Sequence, residues 1–154
     1  MEKKAIAGKK AVSKTKKANL SAQAEYKFLD HTADLLFEAY GKSYEEALEN
    51  SAKALFSVFG TAKPETKAVF SCTAHNIEEL TVQILADILA YSDTHEMVFS
   101  KFSVAVFDPD RPAVLIDAWG EHKRPRDSVK AVTYHEMMVQ EEKGEWTIRI
   151  LLDV

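Results

Sequence analysis

The sequence has 154 residues, enough for one domain of ordinary size. Apolar residues make up 46% and charged residues 29%, which is typical of a globular protein with a hydrophobic core and excludes collagen-like and low-complexity chains. The single cysteine, Cys72, excludes an internal disulfide framework and a cysteine-rich zinc site. Since no apolar run approaches the roughly 18–20 residues that span a bilayer, we expect a cytoplasmic protein that does not enter the membrane.

The net charge of −4 conceals two regions of opposite sign. Residues 1–24 contain seven lysines and one acid, a net charge of +6, whereas the rest of the chain carries −10. The basic segment has no sizeable apolar face, so we predict a disordered lysine-rich tail over residues 1–25 and one folded domain over residues 26–154. Such an arm can contact RNA phosphates, although a solvated or targeting extension is the simpler interpretation. The acidic body itself argues against broad nucleic-acid binding.

Two short strands open the predicted domain, Tyr26–Leu29 and Leu35–Tyr40. They flank the polar segment Asp30-His31-Thr32-Ala33-Asp34. Two carboxylates, a hydroxyl and an imidazole within five residues could form a hard-cation site or an acid–base pair. The simpler alternative is that Asp and Thr side chains cap a turn by accepting hydrogen bonds from backbone N–H groups.

Two amphipathic helices follow, separated by a strand over residues 67–73. The first begins with the capping-box pattern Ser43 to Glu46 and continues at helical spacing towards Gly60. The second opens at Asn76, with Glu79 three residues later, and its broad apolar face predicts that it is the more buried helix.

The rest of the chain is predicted to form a strand meander. Alternating apolar residues around Val104 and Ile116 flank the turn 108–112, and a polar loop over residues 121–128 follows. The chain closes with a hairpin of residues 129–139 and 146–154. This order predicts the α+β class, a single domain with two helices on one face of a mainly antiparallel sheet. Five aromatic residues are expected in the core: Phe28, Phe37, Phe102, Trp119 and Trp146.

The final hairpin has an amphipathic last strand. Its inward face is predicted to carry Trp146, Ile148, Ile150, Leu152 and Val154, since side chains alternate along a strand. One hairpin register would place Lys130 beside Asp153 and Glu136 beside Arg149, which pairs opposite charges. We take that register as the working hypothesis.

Asp153 and Val154 form a second candidate site at the end of the sequence. A carboxylate beside the last residue offers several oxygens, although chain ends are normally frayed and solvated. If the fold brings Asp34 to this end, the accumulated negative charge needs a cation or a basic neighbour. Oxygen ligands favour Ca²⁺ or Mg²⁺ over zinc. Cys72, in the middle of a strand, is interpreted as a packing residue rather than a nucleophile.

Several blocks of the sequence resemble the archease family. The segments that carry the resemblance are Tyr26–Asp34, Ala39–Gly41, Tyr44–Asn50, Asn76–Thr94, Ala118–Glu121, Val129–Met137 and Ile150–Val154. They occur in the family's order and spacing over about residues 26–154, and the lysine-rich tail lies outside them.

The resemblance implies a non-enzymatic accessory protein. Archeases assist the GTP-dependent tRNA-splicing RNA ligase by promoting its guanylylation and its multiple turnover. The family binds a divalent ion, and by the resemblance its ligands here are Asp34, Asp153 and Val154. The ion is expected to be Ca²⁺, with Mg²⁺ or Mn²⁺ as alternatives. Lys130 resembles a lysine that the family needs for function, and His31 and Asp30 are further candidates for activation or partner contact.

Two other functions remain open from the residues alone. One is a metal-assisted hydrolase using Asp30, His31 and Asp34. The other is a nucleic-acid-binding modulator or chaperone that acts through residues 1–24.

Overall fold

The computed structural model describes residues 24–154 of the chain. The predicted tail therefore lies outside the described residues, apart from Ala24 and Glu25. The elements in chain order are β1 (Tyr26–Leu29), β2 (Leu35–Gly41), α1 (Tyr44–Ser57), β3 (Thr66–Thr73), α2 (Ile77–His95), β4 (Met97–Asp108), β5 (Ala113–His122), β6 (Ala131–Glu142) and β7 (Glu145–Asp153).

The strands form two antiparallel sheets with the helices between them. One sheet has the order β1-β2-β7-β6 and the other has the order β3-β5-β4. Helix α1 packs on β2 and β4, and α2 packs on β6 and β3, so each helix contacts both sheets. The predicted α+β class is confirmed, and the strands divide into two sheets that each carry the helices on one face.

Both helices begin at the predicted caps. The Ser43 side chain accepts a hydrogen bond from the backbone N–H of Glu46 at 3.1 Å, and Asn76 accepts one from Glu79 at 2.8 Å. These caps satisfy N–H groups that have no partner within the helix. The prediction that α2 is the more buried helix is wrong: nine of the 14 residues of α1 are buried, against eight of the 19 residues of α2, because Gln83, Ala90 and residues 93–95 of α2 are exposed. Neither helix in residues 24–154 is long and apolar enough to cross a membrane.

Three of the five aromatic residues predicted for the core lie in or against it. Phe37 and Phe102 are buried, and Trp146 packs against the core beside Tyr44. The prediction is wrong for Phe28, which is 41% exposed because it lies on the edge strand β1. It is also wrong for Trp119, which is only partly buried.

Trp119 lies on the outer face of the three-stranded sheet. It is paired with Lys67 on β3 and Lys101 on β4, and their ammonium groups lie 5.6 and 4.7 Å from the centre of its ring. Gly120, the next residue, points inward, where an added Cβ would lie 2.1 Å from the carbonyl oxygen of Val98. The close approach of β4 to β5 therefore requires glycine at this position.

The register of the last hairpin differs from the working hypothesis. Asp153 is opposite Ala131, not Lys130, and Arg149 is opposite Met138, not Glu136. The register also shifts within the hairpin, because residues 134–137 of β6 lie opposite Ile150 alone. The inward face of β7 is as predicted for Ile148, Ile150 and Leu152, all fully buried, whereas Val154 is 38% exposed.

Arg149 pairs with a different acid, across β2 and β7. Its Nε and Nη2 both donate to Oε2 of Glu38, at 3.0 and 2.6 Å, and the Tyr40 hydroxyl donates to Oε1 at 2.9 Å. Burial raises the pKa of Glu38, but the bonds from Arg149 and Tyr40 outweigh it and hold the pKa below its ordinary value of 4.5. The ionised carboxylate therefore stabilises the pairing of the two central strands.

We expect Glu38→Gln to lower the free energy of unfolding at neutral pH by about 1–2 kcal/mol, because charge-assisted hydrogen bonds to Arg149 are weakened. Since the folded pKa is depressed, this stabilisation is present above pH 4.5 and is lost as the pH falls through the folded value. Urea denaturation from pH 7 to pH 3 measures it, and Glu142→Gln, at an exposed hairpin position, is the control. Equal losses of stability at pH 7 and pH 3 would contradict the prediction.

Candidate metal and partner site

The pairing of β2 with β7 brings the polar loop to the end of the chain. Leu35 is opposite Leu152 in the last described pair of the register, and Asp34 and Asp153 are the next residues beyond it on the two strands. Asp34 is partly buried and Asp153 is exposed. Two acids that are 119 positions apart in the sequence therefore flank the same residue pair.

The backbone of Lys130 lies at the same end of the sheet, and we call the group formed by Asp34, Asp153 and Lys130 the corner. Its N–H donates a hydrogen bond of 2.7 Å to the carbonyl oxygen of Asp153, immediately before β6 begins at Ala131. The Lys130 side chain is exposed and remains available to a partner. Although the predicted side-chain register is wrong, the structure does place Lys130 next to Asp153.

The donor atoms at this corner are oxygens. Carboxylate and carbonyl oxygens suit Ca²⁺ and Mg²⁺ rather than zinc, so the chemistry of Asp34 and Asp153 fits a hard cation. Among residues 24–154 there is no cluster of three His, Cys, Asp or Glu side chains that could hold a metal ion. A cation here would therefore need further oxygens from the last residue, Val154, or from water.

His31 and Asp30 do not hydrogen-bond to each other in the part of the chain that the structure describes. The Nε2 atom of His31 lies 3.0 Å from Oε2 of Glu136, and Asp30 is exposed. The His31 side chain is 22% exposed, and its other ring nitrogen, Nδ1, is buried without a hydrogen-bond partner. The acid–base pair considered for the Asp30–Asp34 segment is therefore not assembled.

Glu136 is the partner of His31, and the sequence did not indicate this contact. It lies 105 residues from His31, in the irregular part of β6, and has a positive φ of 57°. No local pattern marks such a residue, because its position depends on how four residues of β6 fit opposite one residue of β7.

Cys72 lies on the inner face of β3, partly buried and packed against the core. Burial raises the pKa of its thiol, and the nearby Asp87 and Glu79 raise it further. Since the thiolate is the reactive form, the structure supports the interpretation of Cys72 as a packing residue.

Comparisons with known proteins agree on one family. A model of the archease protein family matches residues 26–154. The protein archease of Sulfolobus acidocaldarius is 35% identical over 137 residues, covering 84% of this chain and 98% of that protein. The protein archease of Aeropyrum pernix is 32% identical over 135 residues, covering 81% and 94% respectively.

Two solved structures share the fold. The solution structure of protein 1598 from Methanobacterium thermoautotrophicum superposes with a TM-score of 0.72 at 33% identity, covering 84% of this chain and 99% of that one. The crystal structure of an archease from Thermotoga maritima, described as a possible chaperone, gives a TM-score of 0.60 at 18% identity, covering 82% and 94%.

We expect Cys72 of the folded protein to be alkylated by iodoacetamide at pH 8 at least tenfold more slowly than in the urea-unfolded chain, because burial disfavours the thiolate. Mass spectrometry of timed samples measures both rates. An equal or faster rate in the folded protein would identify an activated thiol and contradict the packing role.

Proposed function

This chain belongs to the archease family, and from that premise we propose that it is an accessory protein that activates a GTP-dependent tRNA-splicing RNA ligase. In this proposal it promotes guanylylation of the ligase and its multiple turnover, and does not itself join RNA. The observation that carries the proposal is the β2–β7 register, which puts Asp34 next to Asp153 beside an exposed lysine.

The proposal gives the corner a divalent ion, with Ca²⁺ as the first candidate. Asp34 and Asp153 would supply carboxylate oxygens, and Val154 would supply an oxygen of the last residue. When bound, the ion would supply a fixed positive charge that can orient an anionic group of the partner. The exposure of Asp153 supports this role, because an ion held at the surface can be presented to another protein.

The other roles in this proposal belong to Lys130, through its backbone and its side chain. The backbone bond from Lys130 to Asp153 fixes the end of β7, where the Asp153 carboxylate lies. The free Lys130 ammonium would contact the ligase or its bound nucleotide. Charge arranged in advance near a reaction centre can lower a barrier by ~3–4 kcal/mol, which is ample for a large stimulation of turnover.

Two features support an accessory role over a metal-assisted hydrolase. His31 is engaged by Glu136 rather than by Asp30 or Asp34, so it is not poised as a general base beside the two acids. The corner also lies at an exposed sheet end, where a partner can reach it. Incubation of the purified protein alone with RNA separates the two functions, since only a hydrolase turns RNA over without a partner.

We expect Asp34→Ala to abolish stimulation of the ligase, because it removes a charged oxygen ligand. The measurement is an RNA-ligation time course with limiting ligase, with and without each variant. Asp110→Ala is the matched control, since it removes the same charge from the exposed turn between β4 and β5. Full stimulation by Asp34→Ala, with the fold intact by circular dichroism, would overturn the proposal.

We expect Lys130→Ala to reduce stimulation at least tenfold while leaving Ca²⁺ affinity within about twofold. Alanine keeps the backbone N–H that bonds to Asp153, so the ion site is preserved and the ammonium is lost. Lys27→Ala, on the exposed part of β1, is the control. Calorimetric Ca²⁺ titration alongside the ligation assay measures both effects. Unchanged stimulation would remove Lys130 from the proposed contact.

A further inference from the structure

We propose that His31 and Glu136 form a latch that holds the β1–β2 loop over the four-stranded sheet and thereby positions Asp34 for the cation. This inference rests on the proposed ion binding. It assigns to the two residues a positioning role rather than direct contact with the ion or with the ligase.

The latch spans the sheet. His31 lies in the loop between β1 and β2, and Glu136 lies in β6, whereas the sheet order places β2 and β7 between them. Neighbouring strands are about 4.8 Å apart, so a contact from β2 to β6 bridges about 10 Å of sheet surface. The 3.0 Å contact of Nε2 with Oε2 is therefore made by side chains that reach across the central strands.

Two leucines lie on the outer face of the two central strands. Leu36 and Leu151 are opposite each other on β2 and β7, next to the inward-facing Phe37 and Ile150, so alternation places them on the outer face. Neither belongs to the hydrophobic core that contains Phe37 and Ile150, yet they are only 6% and 3% exposed. An outer-face pair becomes inaccessible only when other groups cover it, and we assign that cover to the β1–β2 loop and the irregular part of β6.

Both ends of the latch are held in unfavourable local states. Glu136 has a φ of 57°, the left-handed region that non-glycine residues seldom occupy. His31 buries Nδ1 without a hydrogen-bond partner among the described residues. Such costs are sustained only where surrounding contacts outweigh them, and they cluster at sites where geometry is functional.

The latch ties together the segments that carry the proposed ligands. His31 precedes Asp34 by three residues in a loop of only five, so fixing its ring restricts where the Asp34 carboxylate can lie. Glu136 is on the strand whose first residue, Ala131, is opposite Asp153. Groups that orient metal ligands in this way change metal affinity by 10–100-fold when they are removed.

The test combines two single variants and their double variant in the full chain. His31→Phe keeps an aromatic ring at this position but cannot bond to Glu136, and Glu136→Ala removes the acceptor. Ca²⁺ affinity is measured by calorimetry. We expect each single variant to weaken Ca²⁺ binding about tenfold or more, and the double variant to be no weaker than the singles, because either change opens the same latch.

His135→Gln is the matched control. Its Nε2 lies 3.8 Å from the same Glu136 oxygen but its side chain is 77% exposed, so we expect Ca²⁺ affinity to stay within twofold. Losses that multiply in the double variant would overturn the latch, because two independent effects are then at work. A loss for Glu136→Ala with none for His31→Phe would also overturn it and would indicate a simple charge effect.

A second readout needs no ion. Hydrogen exchange of the backbone amides of residues 30–36, without Ca²⁺, should become at least fivefold faster in both single variants, while amides of α2 keep their wild-type rates. If wild-type protein binds no Ca²⁺, the proposed ion fails, and the exchange rates alone decide the latch. Unchanged exchange in the loop would overturn it, and Glu136→Ala, at a 41% exposed side chain, decides the question if His31→Phe fails to fold.

Discussion

The antiparallel pairing of β2 with β7 is the constraint on which the rest of this molecule depends. These strands are 104 residues apart at their closest ends in sequence, yet they form the centre of the four-stranded sheet. Phe37 and Ile150 face each other in the core, and Glu38 and Arg149 pair on the opposite face. A slip of one residue would exchange these faces, burying the ion pair and exposing the apolar pair, so the register is strongly specified.

The same register creates the corner where the ion is proposed to bind. Once Leu35 is opposite Leu152, Asp34 and Asp153 must be neighbours at the sheet end, and the Lys130 backbone bond adds the third strand. The proposed ion site therefore follows from core packing rather than from a dedicated metal-binding loop. In the proposed site Asp153 lies on a paired strand and Asp34 lies in the loop, so the proposed latch would act on the loop side.

The irregular part of β6 shows how a local departure from regular pairing can be useful. A regular strand would send the side chains of residues 134–137 alternately to the two faces, with no reason for one to reach the β1–β2 loop. The extra residues opposite Ile150 displace the chain and direct Glu136 towards His31. A regular continuation from Thr133 opposite Leu151 would put His135 opposite Arg149, whereas the irregularity puts Met138 there, and Arg149 pairs with Glu38 on the other neighbouring strand.

The sequence by itself determined both helices and their caps at Ser43 and Asn76, the α+β class, the inward face of β7 and the family, because these depend on local spacing and local hydrogen bonds. It also identified Asp34 and Asp153 separately. Tertiary structure alone decided that the strands divide into two sheets, that Trp119 faces outward between two lysines, and that Glu136 meets His31. These outcomes depend on pairings between residues distant in the chain, which local spacing and local hydrogen bonds do not encode.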